Sequence, residues 1–310
     1  MAANPLLSPP AFQGLAGKRA VLDERLRSMG RLLIAYSGGV DSAFLAYAAH
    51  EVLGARMLAV LADSPSLART QFNDAVAFAR EQEIPLEVIT TGEMERKEYV
   101  QNRPDRCFHC KDELFEVMER LRTQLGFDNI GYGVNTDDLG DFRPGQNAAR
   151  LHRVQTPLVD AGLSKADVRE LARSAGLRIW DKPASACLSS RIEYGRPVTR
   201  EALSAVERGE DALRELGFKQ IRVRHHGQIV RIELGRDELP RMLAADMAER
   251  LVAIFKALGF TYITLDLEGF RSGSMNALLP AQLLAGSQAR PTAAEPKSGP
   301  ASAKKDRRVR

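Results

Sequence analysis

The chain has 310 residues, is 44% hydrophobic and carries a formal charge of +4. Its length allows a large core and about two domains. No stretch reaches the roughly 18 uncharged apolar residues of a membrane span, and three cysteines are too few for a disulfide scaffold and suit a reducing cytoplasm. The charge is local: the last fourteen residues, KSGPASAKKDRRVR, contribute +5 and leave −1 for the rest, so no broad nucleic-acid-binding face is expected.

Residues 1–16 lack the basic and apolar regions of a secretory signal and are read as a disordered arm. Strand and helix then alternate, the pattern of a parallel sheet with crossover helices. Helix 17–29 is followed by strand 32–36, helix 41–52, strand 57–61, helix 67–81 and strand 86–89. Helix 110–125 and strand 129–132 come next, then a helix over 164–175 with Ser164 as N-cap and a stop at Gly176. The predicted first domain spans 17–197. A smaller α+β domain is expected over 198–284, with helix 199–216, a hairpin of strands 220–224 and 228–233, helix 239–258 and strand 262–267. Residues 285–310 read as a disordered basic tail.

The hexapeptide Ser37-Gly38-Gly39-Val40-Asp41-Ser42 lies between the first strand and the next helix. Backbone N–H groups and the helix dipole favour an anion there, glycines allow close approach, and two serines add hydroxyl donors. The segment reads as a pyrophosphate cradle. It is not a Walker A loop, because no Gly-Lys-Ser/Thr follows. Ligands of open α/β sheets lie beyond the carboxyl ends of strands. Asp63 is therefore a candidate nucleotide contact, and Asp137 and Asp138 are candidate Mg²⁺ ligands, with capping of helices and turns the equal alternative for those two.

Cys107 and Cys110 form a Cys-x-x-Cys, and Cys187 stands far along the chain in a polar stretch. Such a pair can chelate metal, form a redox disulfide or mark a simple turn. Structural zinc takes four ligands, whereas three thiolates can hold a [4Fe–4S] cluster with one iron left open. Cys187 is a candidate nucleophile whose thiolate Arg191 would favour; the alternative is a small buried residue.

SGGVDS, ADSPS, RCFHCK, DKPASACLSSRIEYG and RSGSMN together resemble the LarE family of PP-loop ATP pyrophosphatases. The resemblance covers roughly residues 17–280. It implies the adenine nucleotide α-hydrolase-like fold, a parallel sheet with helices on both faces, beside the smaller α+β domain. It implies ATP and Mg²⁺, with the ATP phosphate loop at Ser37, Gly38, Gly39, Asp41 and Ser42. The implied activity is an ATP-dependent sulfurtransferase of nickel-pincer nucleotide synthesis, the cofactor of lactate racemase. A carboxylate of pyridinium-3,5-biscarboxylic acid mononucleotide is adenylated and converted to a thiocarboxylate. Cys187 matches the sulfur-donating position. One branch of the family sacrifices this cysteine and leaves dehydroalanine. Another holds a [4Fe–4S] cluster on three cysteines, and Cys107, Cys110 and Cys187 favour that branch. The resemblance also suggests a homo-oligomer, a hexamer. One departure is Glu193, where the family often has proline.

Arg222 and Arg224 are two apart on a strand and share a face. With Arg271 they are candidates to clamp the substrate phosphate; exposed surface arginines are the alternative. Glu210 and Asp211 are weaker candidates near this second site, and Trp180, His225 and His226 are assigned to packing or the turn. Other PP-loop reactions, tRNA thiolation or amidation, remain as alternatives, as does a non-enzymatic nucleotide-sensing or iron–sulfur carrier.

Overall fold

The computed structural model describes residues 14–140, 144–183, 185–271 and 273–275. Residues 1–13 and the predicted tail, 285–310, lie outside the described residues. In chain order the first part contains α1 (Leu15–Ser28), β1 (Leu32–Ala35), α2 (Val40–Leu53), β2 (Met57–Asp63), α3 (Arg69–Glu81), β3 (Leu86–Thr90), α4 (Lys97–Val100) and α5 (Arg106–Leu125). It continues with β4 (Asn129–Tyr132), α6 (Pro144–Leu151), α7 (Pro157–Asp160) and α8 (Lys165–Ser174).

The four strands pair in parallel in the order β3-β2-β1-β4, with Leu32 opposite both Met57 and Asn129. Successive side chains of a strand point to opposite faces. Leu32 and Ile34 therefore pack with Phe44 of α2 and Phe78 of α3, while Leu33 and Ala35 pack with Phe115 and Met118 of α5. Each buried leucine or isoleucine contributes roughly 1.5–3 kcal/mol. Strand order changes direction at β1, because β2 and β3 lie to one side and β4 to the other. That is where the carboxyl ends of neighbouring strands leave a crevice. Gln155 extends the sheet by one bridge beside β4.

The second part contains α9 (Arg200–Glu215), β5 (Ile221–His226), β6 (Ile229–Leu234), α10 (Leu239–Met242), α11 (Ala245–Ala257) and β7 (Tyr262–Leu265). β5 and β6 are antiparallel, β6 and β7 parallel. Leu213 of α9 and Phe255 of α11 pack on Val223 and Ile232. A smaller apolar cluster joins Tyr99, Leu188, Val198, Leu203 and Val206, so α9 also packs against the segment that carries Cys187.

The predicted elements are present with shifted ends. Ser164 caps α8 through a capping box with Asp167, and Thr199 caps α9. The predicted helix 239–258 is broken: 243–244 separate α10 from α11, and Ala244 is extended at ψ 138°. α5 begins at Arg106 rather than at 110, so Cys107 as well as Cys110 lies on its first turns. The short helices α4, α6 and α7 are not apparent in the sequence pattern. No helix among the described residues is long and apolar enough to cross a membrane.

Candidate functional site

The 37–42 loop leaves β1 and turns into α2. Gly38 adopts φ +70°, the left-handed region, and a Cβ there would meet the Ala75 Cβ at 2.5 Å. Ser42 Oγ accepts the Ser37 N–H at 3.1 Å, lies 3.0 Å from Ser37 Oγ and donates to the Gly39 carbonyl at 3.1 Å. Gly39 is the N-cap residue of α2. Gly133, just past β4, has no room for a side chain: a Cβ would come within 2.7 Å of Ser42 Cα. The end of β4 thus supports the start of α2 backbone to backbone.

A cavity of about 290 Å³ runs from this loop to the cysteines. Ser37, Gly38, Gly39, Asp41 and Ser42 line one end, and Cys110 and Cys187 also line it. Lys111, Lys182 and Glu93 complete its charged wall. Burial pushes the Asp41 carboxyl up, opposed by the approach of the Asn135 amide, which stops short of an ordinary hydrogen bond. Asp41 Oδ1 is buried and has no hydrogen-bond partner among the described residues. A buried acceptor of this kind is costly unless something occupies it.

The three cysteines are free thiols. They are near enough to influence one another electrostatically, but their environments differ. Burial pushes the Cys110 thiol up to about 12, whereas Cys107 is exposed on the first turn of α5. Burial would also raise Cys187. There Arg106, the Ser189 hydroxyl at 3.0 Å, Arg191 and the Ser190 N–H outweigh it and hold the thiol below the usual cysteine range. Among the described residues, no three His, Cys, Asp or Glu side chains are spaced to hold a single metal ion. A cubane cluster asks for a wider spread, with one thiolate at each of three corners.

Two arginines shape the Cys187 loop. Arg191 is 1% exposed, pairs with buried Glu210 at 2.9 and 3.3 Å, and donates to the carbonyls of Ala186 at 2.5 Å and Cys187 at 3.0 Å. Arg191 therefore holds the loop's backbone as well as its charge. Arg106 is not among the predicted site residues. It is buried, donates to Asn102 Oδ1 and to the Ser189 carbonyl at 2.9 Å, and enters no ion pair with a carboxylate among the described residues. Asn102 in turn donates to the carbonyls of Ile192 and Glu193. Arg106 and Asn102 so fasten the Cys-x-x-Cys helix to the Cys187 loop. The available signal is its place directly before Cys107, in RCFHCK.

Other predicted residues have local partners. Asp63 accepts from Arg69 at 2.7 Å. Asp137 accepts the Lys165 N–H that opens α8, at 3.0 Å, and Asp138 accepts the Asn135 N–H at 3.2 Å. Neither Asp137 nor Asp138 lines the cavity. Arg224 pairs with buried Glu233 at 2.8 Å, and Arg271 with Asp266 at 3.3 Å and Glu268 at 2.6 Å. Arg222 stacks on Phe270, and burial lowers its pKa to about 10. Arg222 and Arg224 belong to the second sheet and Arg271 to the chain after β7, and none of the three lines the cavity. Glu193 is taken up by Arg196 at 3.1 Å and His226 at 3.3 Å. Glu210 serves Arg191 and Arg214, and Asp211 pairs with Arg214 at 2.6 Å. His225 packs its ring on Phe260, and Trp180 is exposed.

No family model matches the chain. An uncharacterized protein of Synechocystis is 42% identical over 86% of this chain and 99% of its own length. An uncharacterized protein of Methanocaldococcus jannaschii is 30% identical over 78% of this chain and 91% of its own. The pyridinium-3,5-bisthiocarboxylic acid mononucleotide synthase of Lactiplantibacillus plantarum is 35% identical over 87% of this chain and 98% of its own. With that identity sustained over nearly the whole relative, the chain belongs to the family of pyridinium-3,5-bisthiocarboxylic acid mononucleotide synthases, the LarE family.

Proposed function

We propose that the protein is an ATP-dependent sulfurtransferase that makes a thiocarboxylate on a pyridinium mononucleotide, in nickel-pincer nucleotide synthesis. One observation carries the reading: a single cavity joins the phosphate loop to Cys110 and Cys187. The activity named for the Lactiplantibacillus relative supplies the substrate class.

The N–H groups of the 37–42 loop and the dipole of α2 would hold the ATP phosphates. The unpartnered Asp41 oxygen suits a hard cation bound to them, so Asp41 would hold Mg²⁺. A substrate carboxylate oxygen attacks the α-phosphorus, the bond to the β-phosphate bridging oxygen breaks, and pyrophosphate leaves. Lys111 and Lys182 in the same wall would offset the negative charge of the reacting groups. The acyl-adenylate then faces the cysteine end, where sulfur replaces AMP.

Cys107, Cys110 and Cys187 fit a three-thiolate cluster site, since Cys110 and Cys187 line one cavity and Cys107 lies within electrostatic reach of both. When bound there, a [4Fe–4S] cluster would supply a transferable sulfide at its cysteine-free iron. Arg106 and Arg191 would hold the Cys187 backbone and sulfur in place.

A second reading has its own observation: Cys187 alone of the three favours the thiolate. As a sacrificial nucleophile it would attack the acyl-adenylate, release AMP and form a thioester. Loss of the Cα proton and cleavage of the Cβ–S bond would then release the thiocarboxylate and leave dehydroalanine.

The test is anaerobic incubation with ATP and pyridinium-3,5-dicarboxylate mononucleotide, following AMP and thiocarboxylate by mass spectrometry. Cys187→Ala is expected to form no thiocarboxylate; formation by this variant refutes the assignment. Iron and sulfide analysis of Cys107→Ala and Cys110→Ala separates the two readings. Single turnover with a chain lighter by one H₂S supports sacrifice, and repeated turnover with bound iron supports the cluster.

A further inference from the structure

Two carboxylates line the cavity, Asp41 beside the phosphate loop and Glu93 within electrostatic reach of Cys110. Glu93 is 1% exposed, at the start of the short turn that follows β3. Both of its oxygens accept hydrogen bonds from hydroxyls, one from Ser64 and one from Thr91 at 2.5 Å. None of the ion pairs among the described residues includes it, although Lys111 lines the same cavity. Lys111 instead places its ammonium 5.0 Å from the Tyr132 ring centroid.

A buried carboxylate that lacks a cation is costly, and the cost is offset when a cationic ligand occupies the adjoining space. Elsewhere the cavity wall offers backbone N–H groups, hydroxyls and two lysines, all suited to phosphates and carboxylates. A pyridinium nucleotide carries one permanent positive charge, on its ring. This step rests on the function proposed above. The ring must enter the cysteine end if its carboxyl is to receive sulfur, and there Glu93 is the one carboxylate among the lining residues.

We propose that Glu93 is a specificity-determining residue that recognises the positive charge of the pyridinium ring at the cysteine end of the cavity. The Ser64 and Thr91 hydroxyls aim its carboxylate, and its burial limits screening by water. A neutral ring of the same outline would gain nothing from this group. Glu93 would thus favour the oxidised, pyridinium form of the nucleotide over a dihydropyridine form.

The experiment is equilibrium titration of the full chain, without ATP, using pyridinium-3,5-dicarboxylate mononucleotide and its neutral dihydropyridine counterpart. Wild type, Glu93→Gln and Glu93→Asp are compared, and AMP formation on adding ATP is measured in parallel for wild type. The glutamine keeps the size and one acceptor oxygen but removes the charge. Wild type is expected to bind the pyridinium form roughly tenfold or more tightly over the neutral form. Glu93→Gln should lose that preference by weaker pyridinium binding alone, and Glu93→Asp should keep part of it. Equal affinities in wild type overturn the proposal even if the glutamine variant does not fold, as does a preference that persists unchanged in Glu93→Gln. AMP formation without a charge preference refutes only the role of Glu93. Absence of both binding and AMP formation refutes the proposed function and this inference with it.

Discussion

Arg191 is the charge around which the Cys187 loop is built. Its guanidinium and the Glu210 carboxylate are each 1% exposed and meet through two hydrogen bonds. Arg191→Met keeps much of the volume and removes the charge and three further hydrogen bonds, to the Ala186 and Cys187 carbonyls and to Ser190 Oγ. Breaking one side of a buried pair costs roughly 3–5 kcal/mol, because the remaining charge is stranded. Arg214 still reaches Glu210 at 3.2 Å from a more exposed position, which places the expectation near the lower end, about 3 kcal/mol. In a chain of 310 residues that corresponds to a fall in Tm of roughly 5 °C. Thermal and urea unfolding of Arg191→Met, Glu210→Met and the double variant measures it. The double variant should recover roughly 1.5 kcal/mol or more relative to the sum of the singles. A loss below about 1 kcal/mol in Arg191→Met, or plain additivity in the double variant, refutes the reasoning.

Gly38→Ala combines a left-handed backbone, costing roughly 1–2 kcal/mol, with the collision against Ala75. It should weaken ATP binding by roughly tenfold or more, read by calorimetric titration; unchanged affinity counts against the loop as the phosphate site. Arg106→Gln removes the cation that most favours the Cys187 thiolate, so alkylation of Cys187 in the metal-free chain should slow several-fold at pH 8, as followed by mass spectrometry; an unchanged rate contradicts the role given to Arg106. His152 bridges Asp112 at 2.9 Å and Glu119 at 3.0 Å on α5; burial disfavours its charge, but the two carboxylates outweigh it and raise its pKa. Its stabilising share is therefore full below the ordinary histidine value of about 6.5 and fades as pH rises through the raised folded value. Urea midpoints of wild type and His152→Gln should converge between pH 6 and pH 9, and a gap that widens with pH reverses the assignment.

The phosphate loop was legible in the sequence because its chemistry is local. Six consecutive residues between an apolar strand and a helix specify the turn, the glycines and the hydroxyls, whatever packs around them. The helix over 164–175 was equally legible, since Ser164 and Asp167 carry their own capping signal. Strand 129–132 was bounded by its own four residues. What separates α10 from α11 was not legible, because 243–244 carry no glycine or proline and the apolar spacing runs on through them.

Partnerships across the chain were decided by tertiary structure alone. Arg224 and Arg271 look in sequence like free cations for a phosphate, but β6 brings Glu233 to Arg224, and the chain after β7 brings Asp266 and Glu268 to Arg271. Arg191 is predicted to act on Cys187, yet Arg106, 81 positions away in the chain, comes first among the cations that favour its thiolate. Glu93 carries no motif, and only folding shows that it is buried, lined into the cavity and, among the described residues, without a basic partner. Short-range sterics and hydrogen bonding fix a turn or a cap from neighbouring residues. The charge environment of a site depends on desolvation and on groups brought within a few ångströms by the whole fold, and those are properties of the packed chain.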